Sequence, residues 1–189
     1  IGDYAFNECK ILTTINLGDS VETIGAYAFN ECKNLTTINL GNSVKTIGAY
    51  AFNECTNLTT INLGSVESIG DYAFNECKIL TTINLGSVES IGKHAFNECK
   101  SLTKINLGDS VESIGDYAFN ECKSLTTISI GNSVTTIGER AFVECTLTKV
   151  IISDETAKIL NEEWSSPSPE DEPVSSFYGS TYTVRFILP

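Results

Sequence analysis

One short pattern recurs along most of the chain and limits what it can fold into. Seven cysteines lie 23, 23, 22, 22, 23 and 23 residues apart, and seven isoleucines keep the same spacing. One copy, residues 35–55, reads LxxIxLxxxVxxIxxxAFxxC. Self-similarity at this period predicts a solenoid, in which each copy forms one coil that stacks on the next.

The beginning of each copy has the pattern of a half-buried strand. Ile38 and Leu40 alternate with Thr37 and Asn39, so the apolar pair faces one side and the polar pair faces the other. Gly41 then ends the strand in a turn. A single coil cannot bury its apolar side chains alone, so the coils must bury them against each other.

Two copies are one residue shorter, and both lose the residue at the same place. Most copies have Gly-Asp-Ser-Val or Gly-Asn-Ser-Val after the strand, whereas residues 64–66 and 86–88 read Gly-Ser-Val. A deletion is tolerated where the chain crosses the surface rather than inside a packed strand. We therefore expect this turn to be exposed to solvent.

Composition excludes several classes of partner. The formal net charge is −12 and the isoelectric point is near 4.4. Nucleic acids and anionic lipids are held by clustered lysine and arginine, so neither is expected as a partner. No apolar run reaches the roughly 18 residues of a membrane span, and no signal peptide is visible, so we expect no membrane insertion. The chain has no methionine, which leads us to expect a trimmed form of a longer protein.

The repeat resembles the BspA-like class of leucine-rich repeats, which carries the motif Ile-Gly-x-x-Ala-Phe-x-x-Cys. Residues 24–32 read Ile-Gly-Ala-Tyr-Ala-Phe-Asn-Glu-Cys, and the resemblance extends over residues 1–152. It implies a leucine-rich-repeat solenoid, a right-handed and mostly β superhelix with a parallel sheet. It also implies a cell-surface or secreted protein of bacteria or protists, often adhesive, with a host or matrix protein as partner.

The pattern divides the chain into four parts. Residues 1–152 form a predicted array of seven copies, and residues 153–164 form a predicted capping helix that places Ala157, Leu160 and Trp164 on one face. Residues 165–176 have the proline-rich, acidic composition of a linker. Residues 177–189 have the composition of a strand.

Stacking converts each position of the repeat into a column, and two columns are candidate binding surfaces. The first surface is the outward side of the strands, which leucine-rich repeats commonly use to bind partners. It consists of Thr14, Asn16, Thr37, Asn39, Thr60, Asn62, Thr82, Asn84, Asn106 and Thr127. The rival surface is an aromatic column of Tyr27, Tyr50, Tyr72 and Tyr117, although we favour its interpretation as a tyrosine stripe that covers the convex side without binding a ligand.

Two further columns carry reactive side chains, and both have a structural interpretation. Each cysteine follows the Ala-Phe pair, at an apolar inward position where a thiol behaves as a small hydrophobe. A glutamate precedes each cysteine, and a lysine two residues further on neutralises most of these acids. The chain has one histidine and no CxxC pair. We therefore predict no metal site, no cofactor and no catalytic residues.

Three functions fit these observations, and none of them is enzymatic. The first is a non-catalytic module that binds a protein, a matrix or a repetitive ligand at a cell surface. The second is a structural spacer that projects another domain. The third is an ice-binding array, which the threonine column resembles, although Lys104 interrupts that column.

Overall fold

The computed structural model describes residues 1–152, 156 and 186–187. Two kinds of short parallel strand alternate along the described chain. The three-residue strands are called the face strands; they are β1 (Thr14–Asn16), β3 (Thr37–Asn39), β5 (Thr60–Asn62), β7 (Thr82–Asn84), β9 (Lys104–Asn106), β11 (Thr127–Ser129) and β13 (Lys149–Ile151). The two-residue strands are called the spine strands; they are β2 (Thr23–Ile24), β4 (Thr46–Ile47), β6 (Ser68–Ile69), β8 (Ser90–Ile91), β10 (Ser113–Ile114) and β12 (Thr136–Ile137).

Strands of neighbouring coils pair in parallel and in register, so equivalent residues lie next to each other. Thr14 pairs with Thr37, and Ser68 pairs with Ser90. The six spine strands form one sheet in chain order, from β2 to β12. The parallel solenoid predicted from the repeat is therefore confirmed. The rest of each described coil consists of turns, in agreement with the mostly β superhelix that was predicted.

The core is a set of identical layers, one for each coil. Ile47, Phe52, Cys55 and Leu58 are completely buried, and their counterparts in the other central coils are buried to the same degree. Seven phenylalanines form a stack from Phe6 to Phe142, with ring centroids 5.1–5.3 Å apart. Each buried Leu, Ile or Phe side chain stabilises the fold by about 1.5–3 kcal/mol.

The glycine of the Ile-Gly motif is required because the coils approach closely there. A Cβ atom on Gly70 would lie 2.6 Å from the backbone nitrogen of Ala49 and 2.7 Å from the carbonyl carbon of Gly48. Backbone atoms of the neighbouring coil cannot move aside as a flexible side chain can. Any side chain at this position would therefore force the coils apart.

The segment between the spine strand and the cysteine is held by backbone bonds to the next coil. The N–H groups of Tyr27 and Phe29 donate to the carbonyls of Ala49 and Ala51 at 2.9 and 2.8 Å. To make these bonds the tyrosine adopts a left-handed conformation with φ of 57°. Residues with a Cβ atom disfavour this region, so the segment depends on stacking against neighbouring coils.

An asparagine ladder inside this segment was not recognised in the sequence. Asn7, Asn30, Asn53, Asn75, Asn97 and Asn120 occupy the position before each glutamate. From Asn30 onward, each Nδ2 group donates to the Oδ1 atom of the preceding asparagine in the ladder, over distances of 2.7–2.9 Å. All side-chain bonds of the ladder point in the same direction along the solenoid. The sequence signal is the same amide residue at an inward-facing position in six copies.

The parts predicted after the array lie mostly outside the described residues. This applies to the capping helix 153–164, apart from the buried and helical Thr156, and to the linker 165–176. Thr156 donates from Oγ1 to the carbonyl of Gly131 at 3.3 Å. Of the strand-like segment 177–189, Phe186–Ile187 are described as strand β14. This strand pairs in parallel with β13.

The burial of the cysteines leads to a first prediction, for thiol labelling. Cys9 is half-buried and the other six are buried as free thiols, and burial raises the pKa of Cys32 to about 11. Thiolate is the reactive form, so buried thiols with raised pKa values react slowly. We expect Cys9 to react first in the native protein and all seven to react after denaturation. Rapid labelling of Cys55 or Cys77 in the native protein would contradict this burial.

Candidate functional site

The polar side chains of the face strands are mostly uncharged threonines and asparagines. The predicted face residues are exposed in every coil from Thr14 to Asn106, whereas Thr127 is half-buried. Ile38 and its counterparts point inward between them. In the part of the chain that the structure describes, the Oγ1 atoms of Thr37, Thr60 and Thr82 make no hydrogen bond to the protein. Their hydroxyls therefore face solvent.

The asparagines of the same strands have a second role that the sequence did not reveal. Oδ1 of Asn62 accepts a hydrogen bond from the backbone N–H of Gly64 at 3.2 Å, and Asn84 does the same with Gly86. Asn39 and Asn106 accept from Gly41 and Gly108 in the same way. The amide oxygen thus holds the turn after the strand, and the Nδ2 group remains available for a ligand.

Charge is distributed unevenly around the solenoid. Among the face strands, the charged side chains are those of Lys104 and Lys149, on either side of Thr127. The glutamates lie on another side, where several pair with lysines. Lys33, for example, contacts Glu31 at 3.0 Å and Glu54 at 3.2 Å. These pairs are partly exposed and contribute little stability.

The described residues contain no group of three or more His, Cys, Asp or Glu side chains placed to hold a metal ion.

The aromatic column is a continuous stack. Neighbouring rings from Tyr4 to Tyr117 have centroids 4.5–4.8 Å apart and interplanar angles of 3–9°. The guanidinium of Arg140 lies 5.9 Å from the centroid of Tyr117 and covers the last ring. Each inner ring therefore uses both faces to contact its neighbours. A ligand at this column would meet ring edges and hydroxyls, because the faces that stack on sugars are already occupied.

A shallow pocket lies beside the last face strands. It has a volume of about 290 Å³, and Asn106, Asp109, Ser129 and Asn132 contribute to its lining. Gly131 also lines this pocket, and it accepts a hydrogen bond from Thr156, whose neighbours in sequence lie outside the described residues. Asp109 is the charged side chain among the described residues that line the pocket.

His94 interrupts the tyrosine stack and leads to a prediction about pH. Burial lowers its pKa, the carboxylates of Asp116 and Asp71 oppose this shift, and Lys93 reinforces it. The ordinary pKa of histidine is about 6.5, so the unfolded chain takes up the proton at a higher pH than the folded one. The free energy of unfolding therefore decreases as the pH falls through and below the ordinary histidine pKa of about 6.5.

We expect His94→Tyr to remove this loss and to restore a continuous tyrosine stack. The variant should melt at a higher temperature than the wild type. The difference should widen as the pH falls from about 7.5 to about 5.5. Thermal melts of both proteins across this range test the prediction, and a difference that is independent of pH would contradict it.

The comparisons with known proteins agree with this geometry. The family model described as BspA type leucine rich repeat region matches residues 1–88 and 64–167, with six copies. The chain belongs to the BspA-type leucine-rich-repeat family. No curated protein matches it.

Three solved structures of bacterial proteins resemble this BspA-type chain. A leucine-rich cell-surface protein of Faecalibacterium prausnitzii shares 38% identity over 80% of this chain, with a TM-score of 0.71. A leucine-rich repeat protein of Bacteroides ovatus shares 31% identity over 82%, with a TM-score of 0.62. One of Eubacterium ventriosum shares 29% identity over 72%, with a TM-score of 0.57. The matches span 42%, 47% and 43% of those proteins, so this BspA-type chain corresponds to less than half of each.

The family and the exposed polar face support a general function in protein interaction. BspA-type repeats with this fold occur in bacterial cell-surface proteins, and such repeats are modules for protein interaction. In the described residues, no helix has both the length and the apolar character needed to cross a membrane.

Proposed function

We propose that this chain is a non-catalytic interaction module of a cell-surface or secreted protein, and that it is adhesive. Its partner would be a host or matrix protein, or another ligand with a repetitive surface. The observation that carries the proposal is the face itself. Its threonine hydroxyls and asparagine amides are exposed and uncharged, and the threonines are not used by the fold.

The chemistry of the face suits a ligand that offers hydrogen-bonding groups at regular intervals. Equivalent side chains of neighbouring parallel strands lie about 4.8 Å apart, so a row of hydroxyls alternates with a row of amides. The rows from β1 to β7 are the same in every coil. Uniform rows favour a repetitive ligand over a single irregular protein surface.

The tyrosine and glutamate columns are less available to a ligand than the face strands. The tyrosine faces are covered by stacking, and most of the described glutamates beside the cysteines are partnered by lysine. The acids of the described coils recur as surface columns, whereas acid–base catalysis needs a pair held together in a pocket.

Binding to the face is tested with a panel of immobilised matrix proteins and a glycan array. For any ligand found, replacing both Thr60 and Thr82 by lysine should weaken binding by more than about tenfold. Two bulky charges would obstruct the contact and be poorly desolvated. The asparagines are left intact because Asn62 and Asn84 hold their turns.

A matched control places the same charges in the same coils but outside the face strands. Asn57 and Ile79 are exposed, so Asn57→Lys with Ile79→Lys should leave both the fold and the binding unchanged. A second comparison is Tyr50→Ala with Tyr72→Ala. Loss of binding in the tyrosine pair, with normal binding in the face pair, would assign the site to the aromatic column instead.

A structural spacer is the second candidate, and the uninterrupted ladders favour it. The phenylalanine stack runs through all seven copies, and the asparagine ladder runs through six. Such ladders join neighbouring coils along the array, as a spacer requires. If the panel gives no ligand, and deletion of one whole coil shortens the particle without unfolding it, the spacer function is favoured.

A further inference from the structure

The face strands do not form one sheet, although the spine strands do. β1 pairs with β3, β5 pairs with β7, and β9 pairs with β11 and β13 in a sheet that also contains β14. The structure gives no pairing between β3 and β5 or between β7 and β9. The face is therefore divided into three plates, and the two unpaired boundaries are called seams here.

The backbone amides show the same division. Inside the first plate, the N–H of Leu17 donates to the carbonyl of Asn39, and the N–H of Thr36 donates to the carbonyl of Thr13, both at 2.9 Å. In the other two plates, the amides at these positions that make the same bonds at 2.9–3.0 Å include those of Leu63, Thr81, Leu107 and Thr126.

The four amides at the same positions of the seams lack these bonds. They belong to Leu40, Thr59, Leu85 and Thr103, and none donates to another described residue. Leu40 and Leu85 are only 3% exposed. An unpaired backbone N–H next to a buried side chain is unfavourable, so the seams are weak points of the face.

The glycines that end the face strands give a third, independent sign of the seams. Within each plate the second glycine lies close to the neighbouring coil. A Cβ atom added to Gly86 or Gly131 would collide with backbone oxygen, and one added to Gly41 would lie 3.0 Å from the carbonyl oxygen of Leu17. Across the seams this contact is absent. A Cβ atom on Gly64 or Gly108 would have no neighbouring atom within 4 Å.

The seams coincide with changes in the length of the turn after each strand. β1, β3, β9 and β11 are followed by Gly-Asp-Ser-Val or Gly-Asn-Ser-Val, whereas β5 and β7 are followed by Gly-Ser-Val. Strands followed by turns of equal length pair with each other. The seams lie where a strand followed by a long turn is next to one followed by a short turn.

We propose that the two seams are flexible joints, about which the three plates move on the continuous spine sheet. The spine resists separation of the coils because its pairing is unbroken from β2 to β12. The face offers less resistance, since the backbone bonds that join the coils within a plate are missing at the seams. Motion at the seams therefore alters the spacing between plates and leaves the spacing within each plate unchanged. This inference does not depend on the face binding a ligand.

Amide hydrogen exchange measured residue by residue by NMR tests the seams in the unaltered chain. The four seam amides should exchange at least about tenfold faster than the six plate amides at equivalent positions, because they lack a backbone acceptor. Relaxation dispersion should show motion on the microsecond-to-millisecond scale concentrated beside the seams. Equal protection of the ten amides, or dispersion spread evenly along the face, would overturn the proposal.

Changing a turn should move a seam. Deletion of Asn42 gives the turn after β3 the short form, so β3 should pair with β5 and separate from β1. Leu40 and Thr59 should then gain protection, while Leu17 and Thr36 should lose it. An unchanged exchange pattern in the folded variant would show that turn length does not set the seams.

The opposite change gives a second test that does not depend on the first variant folding. Inserting asparagine both between Gly64 and Ser65 and between Gly86 and Ser87 makes all six turns long. All four seam amides should become protected, and the local dispersion should disappear. Persistent fast exchange at Leu40 and Leu85 in this variant would overturn the proposal.

Discussion

Replacing Phe74 by alanine should lower the free energy of unfolding by about 3–5 kcal/mol, the usual cost of removing a buried aromatic side chain. Phe74 is completely buried and stacks between Phe52 and Phe96 at 5.3 and 5.2 Å. Its removal leaves a cavity in the middle of the array and breaks the continuous phenylalanine stack. Chemical denaturation followed by circular dichroism measures the loss.

The position of Phe74 also predicts the form of the transition. Repeat arrays are held together by contacts between neighbouring coils, so a weak central contact separates the unfolding of the two halves. We expect the variant to unfold in two steps or over a broader range of denaturant. Phe6→Ala is the matched control, because Phe6 is 43% exposed and stacks on one ring. A similar loss in both variants would contradict this account.

Replacing Asn53 by alanine should cost about 2–5 kcal/mol, because two amide groups lose their partners. Asn53 donates from Nδ2 to Oδ1 of Asn30 at 2.8 Å and accepts from Nδ2 of Asn75 at 2.8 Å. Its side chain is 9% exposed, so water replaces these bonds poorly. Thermal or chemical denaturation of the variant gives the size of the effect.

Asn57 supplies the control for this prediction within the same coil. It is exposed, and its Nδ2 atom lies 3.5 Å from Oδ1 of Asn34. We expect Asn57→Ala to change stability by less than about 0.5 kcal/mol, as is usual for a surface substitution. Equal losses in the two variants would show that the ladder bonds contribute no more than exposed amides.

The sequence predicted the architecture because its signals are local and repeated. The alternation of Thr37, Ile38 and Asn39 defines a strand with one buried side, and the structure places Ile38 inward and its neighbours outward. The period of Ile47 and Cys55 predicts the stacking, and both are completely buried. The family resemblance is confirmed as well.

The contacts between coils could not be read from one copy. The ring face of an exposed tyrosine such as Tyr50 could bind a ligand. Only the structure shows that the ring of Tyr27 stacks on it, with the two centroids 4.7 Å apart. Asn62 looks like a free polar residue until its bond to Gly64 is seen. The sequence indicates that the shorter turns are surface deletions, but the pairing of their strands involves the neighbouring coil and cannot be read from a single copy. The ligand-binding role of Thr60 and Asn62 remains a prediction.

The direction of the asparagine ladder has a consequence for how such an array changes length over evolution. Each of the six coils that carry the asparagine presents a donor on one side and an acceptor on the other, so two such coils joined by duplication or by loss of an intervening copy meet with complementary groups. Recombination between these copies therefore adds or removes a whole coil without leaving a side-chain amide of the ladder unpaired. The number of coils can therefore change with little effect on folding. An insertion or deletion that is not a whole copy would instead place the ladder residues of the neighbouring coils out of register.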